Sequence, residues 1–267
     1  MNGPRDSQAN TLTRFMRPLV AFATLAVGCA SATAADYVTA ITGIKPSVVA
    51  VGTYADNRSP RVRMAGTGFV VADGQHVVTN AHVVDKKLAT GERWVVVRAQ
   101  GGEAEVRNVL RSVPRPERDI ALLEVAAPAM PALALGNSNT LSEGQDLAFT
   151  GYPLGLIMGL HPVTHRAFLA GVVPYSVPAV RGAQLTAKSI KARRQGNFLV
   201  FQLDATAFPG NSGSPLYDPV DRKVYGIISM VFRGGVGKNP AEQPSGITFA
   251  VPASHIGALL REQGLKP

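Results

Sequence analysis

Short apolar runs, each ended by glycine, proline, aspartate or asparagine, recur along the chain and restrict its fold more than any other feature. The sequence holds 27 Gly and 19 Pro among 267 residues, and these residues supply the backbone angles of tight turns. Short runs rich in β-branched residues with turns between them are typical of antiparallel barrels. The pattern therefore predicts an all-β fold, and a hydrophobic content of 46% is sufficient for a core.

The predicted strands fall into two sets, separated by a proline-rich stretch at residues 126–131. The first set is predicted at residues 48–54, 66–72, 76–79, 93–98, 104–113 and 120–125. The second set is predicted at residues 146–151, 163–173, 198–203, 224–231 and 247–251, followed by a helix over residues 253–261. A helical turn is predicted at residues 36–44, ended by Pro46. We therefore expect two domains, at residues 35–130 and 131–267.

The first 34 residues have the organisation of an export signal. Arg14 and Arg17 precede an apolar stretch at residues 19–30, and Ala32-Thr33-Ala34 is a small-residue cleavage site. We therefore expect residues 1–34 to be a signal peptide and the mature chain to lie in the periplasm or outside a bacterial cell. A membrane anchor is the alternative, but about a dozen apolar residues are fewer than the roughly 20 of a bilayer span.

Cys29 is the single cysteine of the chain. Cleavage after Ala34 leaves a mature protein without a disulfide, so its stability must come from its core. A cysteine-free exported protein of this size fits a bacterial cell envelope. An alternative interpretation of residues 26–29 is a lipoprotein processing site, which would leave Cys29 lipidated and the protein tethered to a membrane.

The chain is basic, with a formal charge of +9. Removal of the signal takes away three arginines and one aspartate and leaves +7. The densest basic stretch, residues 188–194, contains no aromatic side chain on which a base could stack. We interpret it as a solvated loop and expect no nucleic-acid partner.

Three polar residues lie in segments that favour acyl-transfer chemistry. His82 lies just past a predicted strand, Asp119 begins an apolar strand, and Ser212 lies in a glycine-flanked loop. A serine hydroxyl needs a histidine to take its proton and an acid to orient the imidazole. Each segment alone has an ordinary turn composition, so it is the combination of the three segments that indicates catalysis.

The order of these residues argues against an α/β-hydrolase esterase. That class has the order Ser, acid, His and a Gly-x-Ser-x-Gly motif, whereas here the order is His, Asp, Ser and Ser214 occupies the last glycine position. The other histidines have no metal-binding spacing, so we expect neither a metal nor a cofactor and interpret them as surface or loop residues. They are His76, His161, His165 and His255.

Taken together, the segments resemble trypsin-like serine proteases of the chymotrypsin fold, specifically the bacterial Deg/HtrA-like branch. The resemblance spans residues 48–260 and is carried by residues 66–71, 79–84, 119–123, 210–216 and 249–252. It implies two six-stranded antiparallel β-barrels with a short C-terminal helix, and a serine endopeptidase that forms an acyl-enzyme intermediate. It assigns His82 as general base, Asp119 as its orienting carboxylate and Ser212 as nucleophile, with protein or peptide substrates.

The resemblance also assigns the groups that would receive the substrate. The backbone N–H groups of Gly210 and Ser212 would form the oxyanion hole. Thr206 matches the base of the primary specificity pocket, and because threonine carries no charge to pair with a cation, we expect small or medium apolar side chains to be preferred. The pocket would be formed by Thr206, Ala207, Phe208, Pro209, Ser229, Met230 and Val231.

Two departures from the family limit what the resemblance implies. Asn211 stands where digestive members have an aspartate that pairs with a new N-terminus, so activation by N-terminal trimming is not expected. Activity would instead depend on loop ordering, with residues 175–196 and 232–245 as candidate loops. No PDZ module follows the protease segment in this sequence, so PDZ-dependent regulation is not expected. A latent or non-catalytic protein-binding or chaperone-like protein on the same scaffold remains the alternative function.

Overall fold

The computed structural model describes residue 3 and residues 33–100, 103–153, 159–175, 198–230 and 246–267. Most of the predicted signal, both candidate activation loops apart from Tyr175, and the pocket residue Val231 lie outside the described residues. Residues Ala32–Pro267 form one compact unit. None of the helices within the described ranges is long and apolar enough to cross a membrane.

The strands of the described residues form two closed antiparallel barrels of six strands each, which confirms the predicted fold class. The first contains β1 (Val48–Ala55), β2 (Val62–Val71), β3 (His76–Thr79), β4 (Glu92–Gln100), β5 (Glu103–Arg115) and β6 (Ile120–Val125), in the order β1-β2-β3-β6-β5-β4. The second contains β7 (Asp146–Gly151), β8 (Val163–Pro174), β9 (Leu199–Asp204), β10 (Pro215–Tyr217), β11 (Val224–Ser229) and β12 (Ile247–Pro252), in the order β10-β11-β12-β9-β8-β7.

One strand is absent from the sequence prediction. β10 contains only three residues, all buried, and pairs with β7 and β11. A run of this length shows no alternation of apolar and polar residues, so its strand conformation is set by its two neighbours rather than by a local pattern. β10 matters for the site because it begins three residues after Ser212.

Helices lie at both ends of the described chain. α1 (Ala34–Ile44) is longer than the predicted turn because Thr33 and Asp36 form a capping box: the Thr33 backbone N–H donates to Asp36 Oδ2 at 2.7 Å, and the Asp36 N–H donates to Thr33 Oγ1 at 3.4 Å. α2 (Ala253–Glu262) buries its predicted apolar face, which consists of Ile256, Leu259 and Leu260.

The two barrels pack against each other along a buried seam. Tyr152, just past β7 in the second barrel, is 1% exposed and donates from its hydroxyl to the Val48 carbonyl of β1 at 3.3 Å. Burial raises the pKa of Tyr152 to about 12, so the phenol stays protonated. One apolar cluster includes buried residues from both barrels, among them Phe69 of β2 and Ile227 of β11. Residues on the two sides of the seam are therefore held at a fixed separation.

Candidate active site

His82 lies on a short 3₁₀ turn, Ala81–Val83, that follows β3. Its side chain is 33% exposed, so one side of the imidazole is open to solvent. The preceding Asn80 is fully buried, and its side-chain Nδ2 donates to the Asp119 carbonyl at 2.9 Å. The turn that carries His82 is thereby attached to the turn that carries Asp119.

Asp119 ends a second 3₁₀ turn, Pro116–Arg118, immediately before β6. It adopts a left-handed backbone conformation with φ of 51°, which aspartate tolerates better than most residues. Its carboxylate accepts from the His82 backbone N–H at 3.1 Å and contacts His82 Nδ1 at 2.9 Å. Its Oδ2 also accepts from the Ser229 hydroxyl at 2.6 Å. The carboxylate is therefore anchored from both barrels.

This arrangement defines which nitrogen of His82 carries a proton. An ionised carboxylate only accepts hydrogen bonds, so Nδ1 must donate to Asp119. In the neutral imidazole, Nε2 then holds the free lone pair. A histidine fixed in this tautomer is suited to take a proton from a neighbouring hydroxyl.

Ser212 lies in what we call the serine loop, residues 208–214, which joins the region after β9 to β10. The loop requires glycine at two positions, since Gly210 and Gly213 have φ of 98° and 92°. The Gly213 N–H donates to the Ile228 carbonyl at 2.9 Å and attaches the loop to β11. Within the described ranges, the backbone N–H groups of Gly210 and Ser212 donate no hydrogen bond.

The serine loop and the His82 turn face each other across Gly66 of β2. A Cβ at Gly66 would lie 2.7 Å from Val83 Cγ2 and 2.9 Å from the Ser212 carbonyl oxygen. The structure thus brings the His82 turn and the Ser212 backbone together over a position where only glycine fits. Among the described contacts, no hydrogen bond joins the Ser212 hydroxyl to the His82 ring.

The residues predicted to form the specificity pocket differ in their surroundings. Thr206, Phe208, Pro209 and Met230 are half-buried, whereas Ala207 is fully buried. Ser229 is also fully buried, and its hydroxyl is directed to Asp119, a contact that the sequence analysis did not anticipate.

The expectation that the remaining histidines are surface or loop residues is wrong for three of them, which are half-buried in a strand or a helix: His76 of β3, His165 and His255. His165 belongs to β8, and its ring stacks on Phe149 with centroids 4.8 Å apart and lies 6.1 Å from the ring of Phe208. Burial lowers the pKa of His165, and its Nε2 is buried without a partner in the described part of the chain. His255 belongs to α2 and is half-buried. The His255 ring lies 5.3 Å from the ring of Phe198, so His165 and His255 both contact aromatic rings that are distant in sequence.

A metal centre has no support in the described residues. They contain no cluster of three or more histidine, cysteine, aspartate or glutamate side chains that could hold an ion.

Comparisons with known proteins identify the family to which the chain belongs. A family model described as a trypsin-like peptidase domain matches residues 66–227. A probable periplasmic serine endoprotease, DegP-like, from Halomonas elongata is 30% identical over 213 residues, which cover 79% of this chain and 38% of that protein. The chain therefore spans less than half the length of this curated relative.

Solved structures share the fold. The active form of the Rv3671c protease from M. tuberculosis is similar with a TM-score of 0.60 and 24% identity, covering 97% of this chain and 96% of that one. The HtrA-type protease AlgW with a tripeptide is similar with a TM-score of 0.55 and 21% identity, covering 85% of this chain and 62% of that one. Because the family match covers more than half of the sequence, the chain belongs to the trypsin-like peptidase family, with relatives in the Deg/HtrA-like branch.

Proposed function

We propose that this protein is a serine endopeptidase that hydrolyses peptide bonds with Ser212 as nucleophile, His82 as general base and Asp119 as the carboxylate that orients His82. The observation that carries the proposal is the binding of the Asp119 carboxylate to both the backbone N–H and Nδ1 of His82. Two contacts from one buried carboxylate fix the imidazole in position and in tautomer.

The chemical steps follow from that tautomer. His82 Nε2 takes the proton of the Ser212 hydroxyl while Oγ attacks the carbonyl carbon of the scissile peptide bond. The resulting imidazolium gives its proton to the leaving amine as the C–N bond breaks, which leaves an acyl group on Ser212. Water, activated by the same imidazole, then releases the acid and restores the hydroxyl.

The oxyanion of the tetrahedral intermediate would be bound by the N–H groups of Gly210 and Ser212. Both N–H groups are unengaged among the described residues, and the positive φ of Gly210 is part of the turn that presents them. Donors that are already in place stabilise the developing charge without reorganisation during the reaction.

Peptides are the proposed substrate class, in keeping with the tripeptide and decapeptide named in the AlgW structures. Thr206 at the pocket base supports a preference for small or medium apolar side chains before the cleaved bond. A peptide library tests this preference, and a strong preference for cleavage after arginine would contradict it. The periplasmic naming of the relatives supports export by residues 1–34, with lipidation at Cys29 as the alternative.

The test of the activity is labelling by a fluorophosphonate, which reacts with an activated serine. We expect the wild-type protein to be labelled on Ser212, and we expect Ser212→Ala and His82→Ala to lose the label. Ser138→Ala is the matched control, because Ser138 is a buried serine, 5% exposed, outside the site. Circular dichroism establishes that each variant is folded.

The latent or binding-protein alternative is favoured by one observation, the lack of a described hydrogen bond between the Ser212 hydroxyl and the His82 ring. Catalytic hydrogen bonds are often long in free enzymes and shorten when substrate binds. Fluorophosphonate labelling decides between the two functions. If the folded wild-type protein binds a peptide but is not labelled, a binding function is correct and the endopeptidase proposal is wrong.

A further inference from the structure

Thr67 of β2 occupies an unusual position in the seam between the barrels. It is a polar residue with no exposed surface. Its backbone and side chain take part in four hydrogen bonds that connect it to β3, to the end of β7 and to two points of the serine loop. No step of the proposed reaction uses Thr67, yet it contacts the segments that carry both reacting groups.

Two of these bonds hold the serine loop. The Thr67 N–H donates to the Ser212 carbonyl at 2.8 Å, and the Thr67 hydroxyl donates to the Gly210 carbonyl at 2.7 Å. The packing is tight here, since a Cβ at Gly213 would lie 1.9 Å from the Thr67 carbonyl oxygen. The Gly210–Asn211 and Ser212–Gly213 peptide groups are thus both tied to one residue of the opposite barrel.

The other two bonds fix Thr67 itself. The hydroxyl of Thr79, the last residue of β3, donates to the Thr67 carbonyl at 2.7 Å. The Tyr152 backbone N–H donates to Thr67 Oγ1 at 3.0 Å. Because the hydroxyl both donates and accepts, its side chain is held in a single rotamer. Since Thr79 lies only three residues before His82, a short chain of bonds runs from the histidine turn through Thr67 to the serine loop.

We propose that Thr67 is a positioning residue that sets the separation between His82 and Ser212. This inference rests on the proposed function. The base and the nucleophile belong to different barrels, so a group that joins the barrels must fix their distance. The Thr67 hydroxyl does so from the first barrel by holding the Gly210 carbonyl.

Thr67→Val tests the role of the hydroxyl with almost no change in volume. The substitution keeps the backbone bonds but leaves the Gly210 carbonyl and the Tyr152 N–H without their buried partner. A misplacement of about 1 Å at a reacting centre costs on the order of 100-fold in rate, so we expect the maximal rate of fluorophosphonate labelling to fall by about tenfold to 100-fold. The probe concentration at half-maximal rate should change little. Thr67→Ser keeps the hydroxyl and should restore most of the rate.

Amide hydrogen exchange of the serine loop gives a readout that does not depend on catalysis. Thr67→Val should speed exchange at Asn211 and Gly213, whereas Thr67→Ser should not. Thr53→Val is the matched control, because Thr53 is 2% exposed and its hydroxyl contacts Glu92 at 3.3 Å outside the site. It loses a buried hydroxyl as well, and it should change neither the labelling rate nor exchange in the serine loop.

The outcomes separate this inference from the proposed function. If the wild-type protein is not labelled, the proposed endopeptidase function is wrong, and hydrogen exchange alone then tests whether Thr67 holds the serine loop. If folded Thr67→Val is labelled at the wild-type rate, or if Thr67→Ser is as slow as Thr67→Val, the positioning role is wrong. Should Thr67→Val not fold, Thr79→Val removes the next bond in the chain, and wild-type labelling of that variant overturns the inference.

Discussion

The hydroxyl of Ser229 lies 2.6 Å from Oδ2 of Asp119 and donates to it, joining the end of β11 to the turn before β6. Ser229 has no exposed surface and Asp119 is 7% exposed, so the bond is shielded from water. The same oxygen lies 2.9 Å from His82 Nδ1. The orientation of Asp119 thus depends on a residue of the second barrel.

Replacement of Ser229 by alanine should therefore slow acylation while leaving the fold intact. Hydrogen bonds to charged groups contribute about 1.5–3 kcal/mol, and a factor of ten in rate corresponds to about 1.4 kcal/mol. We expect the fluorophosphonate labelling rate of Ser229→Ala to fall by about tenfold or more. Ser138→Ala is the control, and equal labelling rates for the two variants would show that the bond is not needed to orient Asp119.

Gly210→Val should abolish labelling without unfolding the protein. A β-branched residue is strained at a φ of 98°, and relief of the strain would turn the Gly210 N–H away from the oxyanion. Gly144→Val is a close control, since Gly144, just before β7, has a φ of 96° and a Cβ added there would meet no atom within 4 Å. Both variants should lose similar stability in urea, but only Gly210→Val should lose labelling. Normal turnover by Gly210→Val would refute the oxyanion assignment.

The strand pattern and the segments of His82, Asp119 and Ser212 could be predicted because they depend on local signals. Turn residues bound each strand, and glycines on both sides of Ser212 mark a loop whose positive φ angles the structure contains. The apolar spacing of Ile256, Leu259 and Leu260 likewise depends on the period of a single helix.

The contacts that organise the site could not be predicted in the same way. The bond from Ser229 to Asp119 joins residues 110 positions apart, and the bond from Thr67 to Gly210 joins residues 143 positions apart. No periodicity or composition within either segment encodes such a pairing. The ring contacts of His165 with Phe149 and Phe208 are not predictable for the same reason, because each of the three residues lies in a different segment.

Gly151, the last residue of β7, packs against Ser214 of the serine loop. A Cβ at Gly151 would lie 1.9 Å from Ser214 Oγ, and that hydroxyl is buried without a partner in the described part of the structure. Gly151→Ala should therefore destabilise the protein by about 1–3 kcal/mol, as overpacking does. Adding Ser214→Ala removes the clashing oxygen and should restore part of the loss. Urea unfolding of both single variants and the double variant measures the coupling; equal costs of Gly151→Ala in the two backgrounds would contradict the pairing.

Stability should fall as the pH is lowered from about 6.5 towards 5. Burial lowers the pKa of His165 and of His255 below the usual value of 6.5, and Arg118 lowers that of His255 further. At a pH well above 6.5 both rings are mostly neutral in the folded and the unfolded chain. Below it the unfolded chain binds protons that the folded protein does not, so the free energy of unfolding decreases.

His165→Phe tests the contribution of one of these rings. The variant should lose less stability than the wild type between pH 7.5 and pH 5.5, as measured by urea unfolding at each pH. His161→Phe is the control, because His161 is exposed. An identical loss of stability in wild type and His165→Phe would mean that burial of this histidine does not contribute to the acid sensitivity.

Thr33 caps α1, and the predicted cleavage after Ala34 would remove it. The Thr33 side chain and backbone both bond to Asp36, and loss of a threonine N-cap costs about 0.5–2 kcal/mol. A chain that begins at Ala35 also places its charged amino group in the first turn, where the helix dipole disfavours a cation. We therefore expect a protein beginning at Ala35 to melt at a lower temperature than one beginning at Thr33, and Thr33→Ala in the longer chain to reproduce part of the difference.

Thr39→Ala is the control, because the Thr39 hydroxyl donates to the Ala35 carbonyl of its own helix and alanine is the better helix former. Equal melting temperatures for the two chain lengths would show that α1 is held by the packing of Ala40 and Ile44 alone.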